Sequence, residues 1–372
     1  MRFRPTAVVL AFLLCSVSLR AAEALDSATG KEAKGVIFFD AKAIGIEGQA
    51  FADTKAPYDR LPGKADGVVR PPVWNLSRDS AGMAVRFVSD APAIHARWSL
   101  TKEKLEMPHM AATGVSGLDL YVRTEKGNWH WLAVGKPAAQ TTTAALISNI
   151  PAGKREYLLY LPLYNGVTSL EIGVPKGSTL FKPDARPAAR AKPILFYGTS
   201  ITHGACASRP GMVHTSILGR WFDRPVINLG FSGNGTMDDS MGNLLAELDV
   251  AVYVIDCLPN MDAKAVAAKA EPFIRALRKA KPNTPIVLVE DRTYGDAFLI
   301  ESKAKRNAGS REEFRKTYAK LKAEGMTGLS YLEGEKLLGE DGDDTVDSSH
   351  PSDLGFMRQA EAMKVVLEPL LR

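Results

Sequence analysis

Two segments far apart in the chain carry the side-chain types of nucleophilic acyl transfer. Phe196-Tyr197-Gly198-Thr199-Ser200-Ile201-Thr202 places a serine in a glycine-flanked turn after an apolar run. Asp347-Ser348-Ser349-His350-Pro351 places a histidine three residues after an aspartate, in a loop before the last helix. A serine hydroxyl is a weak nucleophile at neutral pH and needs an adjacent base. His350 is the candidate base, and Asp347 the candidate carboxylate that holds its tautomer and stabilises the imidazolium. Asp343 and Asp344 are nearby rivals for the Asp347 role. A tetrahedral intermediate also needs fixed donors. Ser200 N–H, Gly233 N–H and the Asn260 side-chain amide are the candidates, in Gly230-Phe231-Ser232-Gly233-Asn234-Gly235 and Asp256-Cys257-Leu258-Pro259-Asn260-Met261. Counting from Asn228 selects Gly233 over Gly230.

These groups need a scaffold, and the chain has two textures. From about Gly35 to Ile172, short alternating runs such as Met83–Val88, Ile94–Trp98, Leu118–Val122, Trp129–Ala133 and Ser169–Ile172 are punctuated by Gly, Pro and Asn. That pattern predicts an antiparallel β-sandwich. From Pro193 onward, nearly all-apolar runs at 194–197, 226–229, 250–255 and 286–289 read as parallel strands buried on both faces. Helical stretches at 241–248, 262–281, 312–322 and 352–371 alternate with them, with Pro272 expected to open a new turn inside the second. Alternating β and α elements predict a doubly wound three-layer α/β/α domain. The four candidate segments then fall at carboxyl ends of strands, where such sheets bind ligands.

The expected division is a signal peptide over 1–24, a β-sandwich domain over 25–180, a linker over 181–192 and the α/β domain over 193–372. Arg2 and Arg4 precede an apolar stretch too short to span a bilayer, and Ala22-Glu23-Ala24 offers a cleavage site, with Ser16-Val17-Ser18 as a rival. Cys15 follows bulky Leu13 and Leu14, which disfavours a lipoprotein. Cleavage removes Arg2, Arg4, Arg20 and Glu23, so the formal +5 falls by two. A balance so near zero excludes a nucleic-acid partner as the expectation. No second long apolar run follows, so no stable membrane insertion is expected after cleavage. Cys206 and Cys257 remain, too few for a disulfide framework, though one bridge is compatible with an oxidising compartment.

The segments around Ser200, Gly233, Asn260 and Asp347/His350 resemble the four blocks of the SGNH (GDSL-type) hydrolases, over about residues 190 to 372. Gly117-Leu118-Asp119-Leu120-Tyr121 is similar to the G-x-D-L-Y signature of the β-domain that precedes one bacterial branch of them. The resemblance implies a flavodoxin-like α/β/α fold and ester hydrolysis through an acyl-serine, with no cofactor and no metal. Thr199 departs from the aspartate of the GDSL name, and Met261 from the aspartate that often follows the asparagine.

The expectation is thus an exported, periplasmic or secreted serine esterase acting on small acyl esters, with acetyl groups on carbohydrate as the expected substrate. The alternatives are a lipid or short-chain carboxylesterase of the same fold, or a glycan-binding protein with an inert hydrolase domain. Other residues have competing readings. Glu290-Asp291-Arg292 is either a substrate-holding rim or a mutually paired cluster. Trp129 and Trp131 share a strand face; core or interface packing is favoured over stacking on a sugar. His203 reads as a structural neighbour of Ser200, and Cys257 as packing.

Overall fold

The computed structural model describes residues 23–372, so the expected signal peptide lies outside the described residues except for Glu23 and Ala24. Ten strands come first: β1 (Lys31–Ala33), β2 (Val36–Asp40), β3 (Ala84–Ser89), β4 (Ile94–Leu100), β5 (Leu118–Arg123), β6 (Trp129–Gly135), β7 (Thr141–Ile147), β8 (Arg155–Tyr160), β9 (Val167–Pro175) and β10 (Leu180–Phe181). They form two antiparallel sheets, ordered β1-β2-β9-β4-β7 and β10-β3-β8-β5-β6. Ile94, Ala96, Trp98 and Leu100 of β4 turn inward, meeting Phe87, Leu120, Tyr157 and Leu159 of the facing sheet. That is the period-2 burial of two packed sheets.

The second sheet is buried on its outer face as well. Ala84, Tyr121, Leu158 and Tyr160 form a cluster there, and the Tyr160 hydroxyl donates to Ser216 O at 3.2 Å. The signature aspartate lies on this face. Asp119 is fully buried and accepts from Trp131 Nε1 at 2.9 Å, Gly211 N at 2.8 Å and Arg209 Nη1 at 2.8 Å. The Tyr121 hydroxyl also meets Arg209. Asp119 and Tyr121 therefore clamp the sandwich to the segment after Ser200.

The α/β unit is built on β11 (Ile194–Gly198), β12 (Val226–Gly230), β13 (Val252–Asp256), β14 (Ile286–Val289) and β15 (Leu329–Leu332), all parallel, in the order β12-β11-β13-β14-β15. Alternate residues of β11 serve opposite faces. Leu195 and Tyr197 pack with Met241, Val266, Phe273 and Phe314 from the helices Asp239–Ala246, Ala263–Ala280 and Glu301–Ala323. Ile194 and Phe196 pack with Ile217, Phe356 and Met363 from the helices His214–Phe222 and Asp353–Leu367. This is the three-layer, doubly wound arrangement.

Three elements differ from expectation. The helix Ala263–Ala280 runs unbroken through Pro272, which lies exposed while Ala270 and Phe273 are held in the core beneath it. The helix expected at 312–322 begins at Glu301, because its polar first half is anchored by Asn307 and Arg311 rather than by an apolar stripe. β15, an edge strand, was not expected. Packing also crosses the division drawn from sequence. Phe51, Leu61, Val69 and Val73, between β2 and β3, complete the α/β core against Tyr197 and Leu229.

Candidate active site

β11 and β13 flank the point where the strand order reverses, the usual ligand crevice of such sheets. β11 ends at Gly198, where a Cβ would approach Thr202 Oγ1 to 2.2 Å and Asp256 O to 2.5 Å. Only glycine lets the chain turn there. Thr199 caps the short helix Ser200–His203, its hydroxyl accepting from Ile201 N at 3.3 Å. Ser200 follows, 7% exposed, with its amide in a first turn that offers no intrahelical acceptor.

His350 Nε2 lies 2.8 Å from Ser200 Oγ. Its Nδ1 lies 2.7 Å from Asp347 Oδ2, which assigns the proton to Nδ1 and leaves Nε2 as acceptor. The three-residue spacing works because Asp347 also braces its own loop: Oδ1 accepts from His350 N at 2.8 Å and Ser349 N at 3.2 Å. Partial burial acts against the Asp347 carboxylate, yet these donors hold its pKa below the ordinary value. Ser348, at φ 70°, is tied by Gly295 N to its carbonyl at 2.8 Å and by Lys303 Nζ to its hydroxyl at 2.9 Å. Neither rival aspartate meets His350: Asp344 O accepts from Ser352 N at the helix entry, and Asp343 is exposed.

The two glycine candidates differ sharply. Gly230 is buried and its N–H is taken by Asn228 Oδ1 at 2.9 Å. Gly233 sits exposed at φ 68° with open space where a Cβ would be. Asn260 Oδ1, assigned by its neighbours, accepts from Asn234 N at 2.9 Å and Gly235 N at 3.1 Å. The Asn260 amide nitrogen is thereby kept as a donor.

The sandwich supplies residues that the sequence reading did not single out. Arg60, 1% exposed, donates to Gly230 O at 2.7 Å, Asn228 O at 3.2 Å, Asp79 O at 2.8 Å and Leu76 O at 2.6 Å. It fixes the end of β12, from which the Gly233 loop departs. Burial lowers its pKa while Asp79 opposes that shift. The Tyr164 hydroxyl donates to Ser200 O at 3.3 Å, and its ring stacks on His203 at 4.1 Å. His203 is fully buried against Leu163 O at 2.7 Å, and burial holds its pKa well below the usual value. From the loop after β4, exposed His109 approaches the His350 ring, with centroids 6.2 Å apart. No local pattern marks Arg60, Tyr164 or His109, since each meets its partner only through the fold, whereas His203 is the structural neighbour of Ser200 that its position implies.

The remaining candidates resolve by burial. Glu290, Asp291 and Arg292 are at most 3% exposed. Arg292 pairs bidentately with Asp256 at 2.6 and 2.8 Å, Asp291 with Arg306 at 3.2 Å, and Glu290 with Arg315 at 2.6 Å. They form an internal network, so the rim reading falls. Burial raises Asp291 to about 6. Cys206 and Cys257 are free and buried, and burial pushes the Cys206 thiol up to about 12. Trp129 packs against the outer-face cluster at the interface, whereas Trp131 is half exposed.

Residues 191–368 match the GDSL-like lipase/acylhydrolase family. Residues 36–180 match the GxDLY N-terminus of SGNH-type esterases. A comparison with curated proteins finds no match. Among solved structures, a protein from Bacteroides ovatus solved as a GDSL-like lipase is 30% identical, covering 90% of this chain and 98% of its own at a TM-score of 0.85. The salicylyl-acyltransferase of a tetracycline biosynthetic pathway is 20% identical over 94% of this chain and 98% of its own, TM-score 0.68. A family two carbohydrate esterase from Clostridium thermocellum, solved with cellohexaose, is 16% identical over 78% and 92%, TM-score 0.55. The last two share the fold. With a nucleophile turn at a strand end, a β-domain carrying the signature, and family matches to both halves, this chain belongs to the GDSL-like lipase/acylhydrolase family and is an SGNH-type ester hydrolase.

Proposed function

We propose that the protein is an exported serine esterase that removes small acyl groups, chiefly acetyl, from carbohydrate. The observation that carries this reading is the unbroken chain from Ser200 Oγ through His350 to Asp347. In it, His350 Nε2 takes the Ser200 proton as Oγ attacks the ester carbonyl. The imidazolium is stabilised by Asp347. Ser200 N–H, Gly233 N–H and Asn260 Nδ2 receive the oxyanion, donors of a kind worth about 3–4 kcal/mol each. Collapse expels the alcohol with the proton from His350. Water then attacks the acyl-serine by the same route reversed. A carbohydrate as the alcohol part of the ester is supported by the fold shared with the carbohydrate esterase solved with cellohexaose. Export rests on the N-terminal sequence; no described helix is long and apolar enough to cross a membrane.

A second reading draws on one observation. Phe298, Leu299 and Ile300 are 82%, 74% and 42% exposed, on the loop that Gly295 ties to Ser348. An apolar rim beside the His350 loop suits longer acyl chains. Hydrolysis of p-nitrophenyl acetate, butyrate and octanoate, and of acetylated xylan and mannan oligosaccharides, separates the two, with Ser200→Ala as control. Acetate release that is lost in the mutant supports the proposal. A preference for octanoate selects the second reading, and equal rates for both proteins remove Ser200 from the mechanism.

A further inference from the structure

The clamp between sandwich and α/β unit has a cleft on its outer side. An open cleft of about 700 Å³ lies between β5, β6 and the helices His214–Phe222 and Asp353–Leu367, within the ~300–1,000 Å³ of small-ligand sites. Two large aromatics face it unburied, Trp131 at 49% and Trp221 at 42% exposed. Asp119 holds both Trp131 and Arg209, and the Arg209 guanidinium lies 5.1 Å from the Trp131 ring centre. Lys364 Nζ lies 5.7 Å from the Trp221 ring. Arg220 is anchored by Gly211 O at 2.8 Å and lies 4.0 Å over the Tyr121 ring.

The charges in this cleft do not cancel. Asp223 pairs with Arg123 and Arg190, and Asp119 with Arg209. Among the described residues, Arg220 and Lys364 have no such carboxylate partner. Two positioned cations beside exposed tryptophan faces form a surface for a ligand that is ring-shaped and apolar on its faces yet anionic at its edge.

We propose that this cleft is a second, non-catalytic binding site for a carboxylate-bearing saccharide, with Trp131 and Trp221 as ring platforms and Arg220 and Lys364 as carboxylate partners. Two cations without carboxylate partners suit one or two carboxylates and are too few for the run of phosphates that a nucleic acid presents. The site is tied to the catalytic one through a shared helix. Asp353, three residues past His350, accepts from Ser208 N at 2.9 Å, and Arg209 follows Ser208. Lys364 lies eleven residues farther along, roughly 16 Å by helical rise. A chain bound here would be kept close to the serine.

The test is titration of the Ser200→Ala protein with tetragalacturonate, cellotetraose and oligothymidylate, read by tryptophan fluorescence and calorimetry. Tetragalacturonate should bind, at least about tenfold more tightly than the neutral cellotetraose, and more weakly as salt rises. Trp131→Phe, Trp221→Ala and Lys364→Glu should each weaken it, the last two by about tenfold with unchanged melting temperature, because neither Trp221 nor Lys364 belongs to the Asp119 clamp. No binding, equal binding of the neutral sugar, tighter binding of oligothymidylate, or indifference to Lys364→Glu would each overturn the proposal. Because hydrolysis plays no part in this assay, any of these results leaves the esterase reading standing.

Discussion

Asp119 and Arg209 meet at 2.8 Å across the boundary between the two folding units, with the aspartate fully buried. The pair explains what the G-x-D-L-Y signature does physically. Its acid faces away from the sandwich core and neutralises an arginine that leads into the helix His214–Phe222. Asp119→Ala would leave Trp131 Nε1 and Gly211 N without their acceptor and Arg209 without its counter-charge. Breaking a buried pair on one side costs about 3–5 kcal/mol. Urea denaturation should show a loss of that order, and a loss under about 1 kcal/mol would mean that water replaces the carboxylate.

For the reaction, Asp347→Asn should lower kcat far more than KM, by up to about 10⁴-fold, because the amide no longer fixes the His350 tautomer. Asn260→Ala should lower kcat by about 10²–10³-fold. Steady-state kinetics on p-nitrophenyl acetate check both. An Asn260→Ala enzyme with undiminished kcat would take that amide out of the oxyanion site.

Gly230 and Gly233 can be told apart by stability. A Cβ at Gly230 would stand 2.1 Å from His203 N, and backbone cannot yield that much. Gly230→Ala should therefore unfold or fail to express. At Gly233 the space is open and only the positive φ is penalised, about 1–2 kcal/mol. Thermal melts of both variants decide the matter, and similar losses would contradict the assignment.

Acid sensitivity should come from buried imidazoles. His214 lies between Phe196 and Phe356, with ring centres 5.7 Å from each, and its two nitrogens have no protein partner. Burial lowers it from 6.5 to about 3. Between those values the unfolded chain binds a proton that the folded protein refuses, so stability rises with pH there. The contribution is intact above 6.5 and is lost as pH falls toward 3, at no more than about 1.4 kcal/mol per pH unit. His214→Phe should flatten the fall in melting temperature between pH 6.5 and 4. An unchanged slope would assign the effect elsewhere, to His203 first.

Much of the candidate site was legible because it is local. Gly198-Thr199-Ser200 follows an all-apolar strand, Asp347 and His350 share one loop, and Asn260 closes another strand. Each block announces itself by a strand end and a turn. Arg60, Tyr164 and Asp79 announce nothing, because their partners lie up to 170 residues away and the arginine sits in an irregular stretch with no periodicity to read. Glu290-Asp291-Arg292 was ambiguous for a related reason. Charge in a sequence looks solvated until the fold supplies Asp256, Arg306 and Arg315. β15 escaped because it is four residues long and only Leu329 is fully covered.

The reach of Arg60 also sets an order of assembly. A chain made from its N-terminus presents Arg60 long before residues 228–230 exist to receive it. Phe51, Leu61 and Val73 likewise wait for the parallel sheet that will cover them. The leading half is therefore an unfinished body, with apolar surface and a cation exposed until β11 and β12 close over them. Cut after residue 181, it should keep the core between its two sheets but expose Phe51, Leu61 and Val73 and be aggregation-prone. The candidate crevice therefore depends on both halves, since residues 228–230 are held by an arginine from the first.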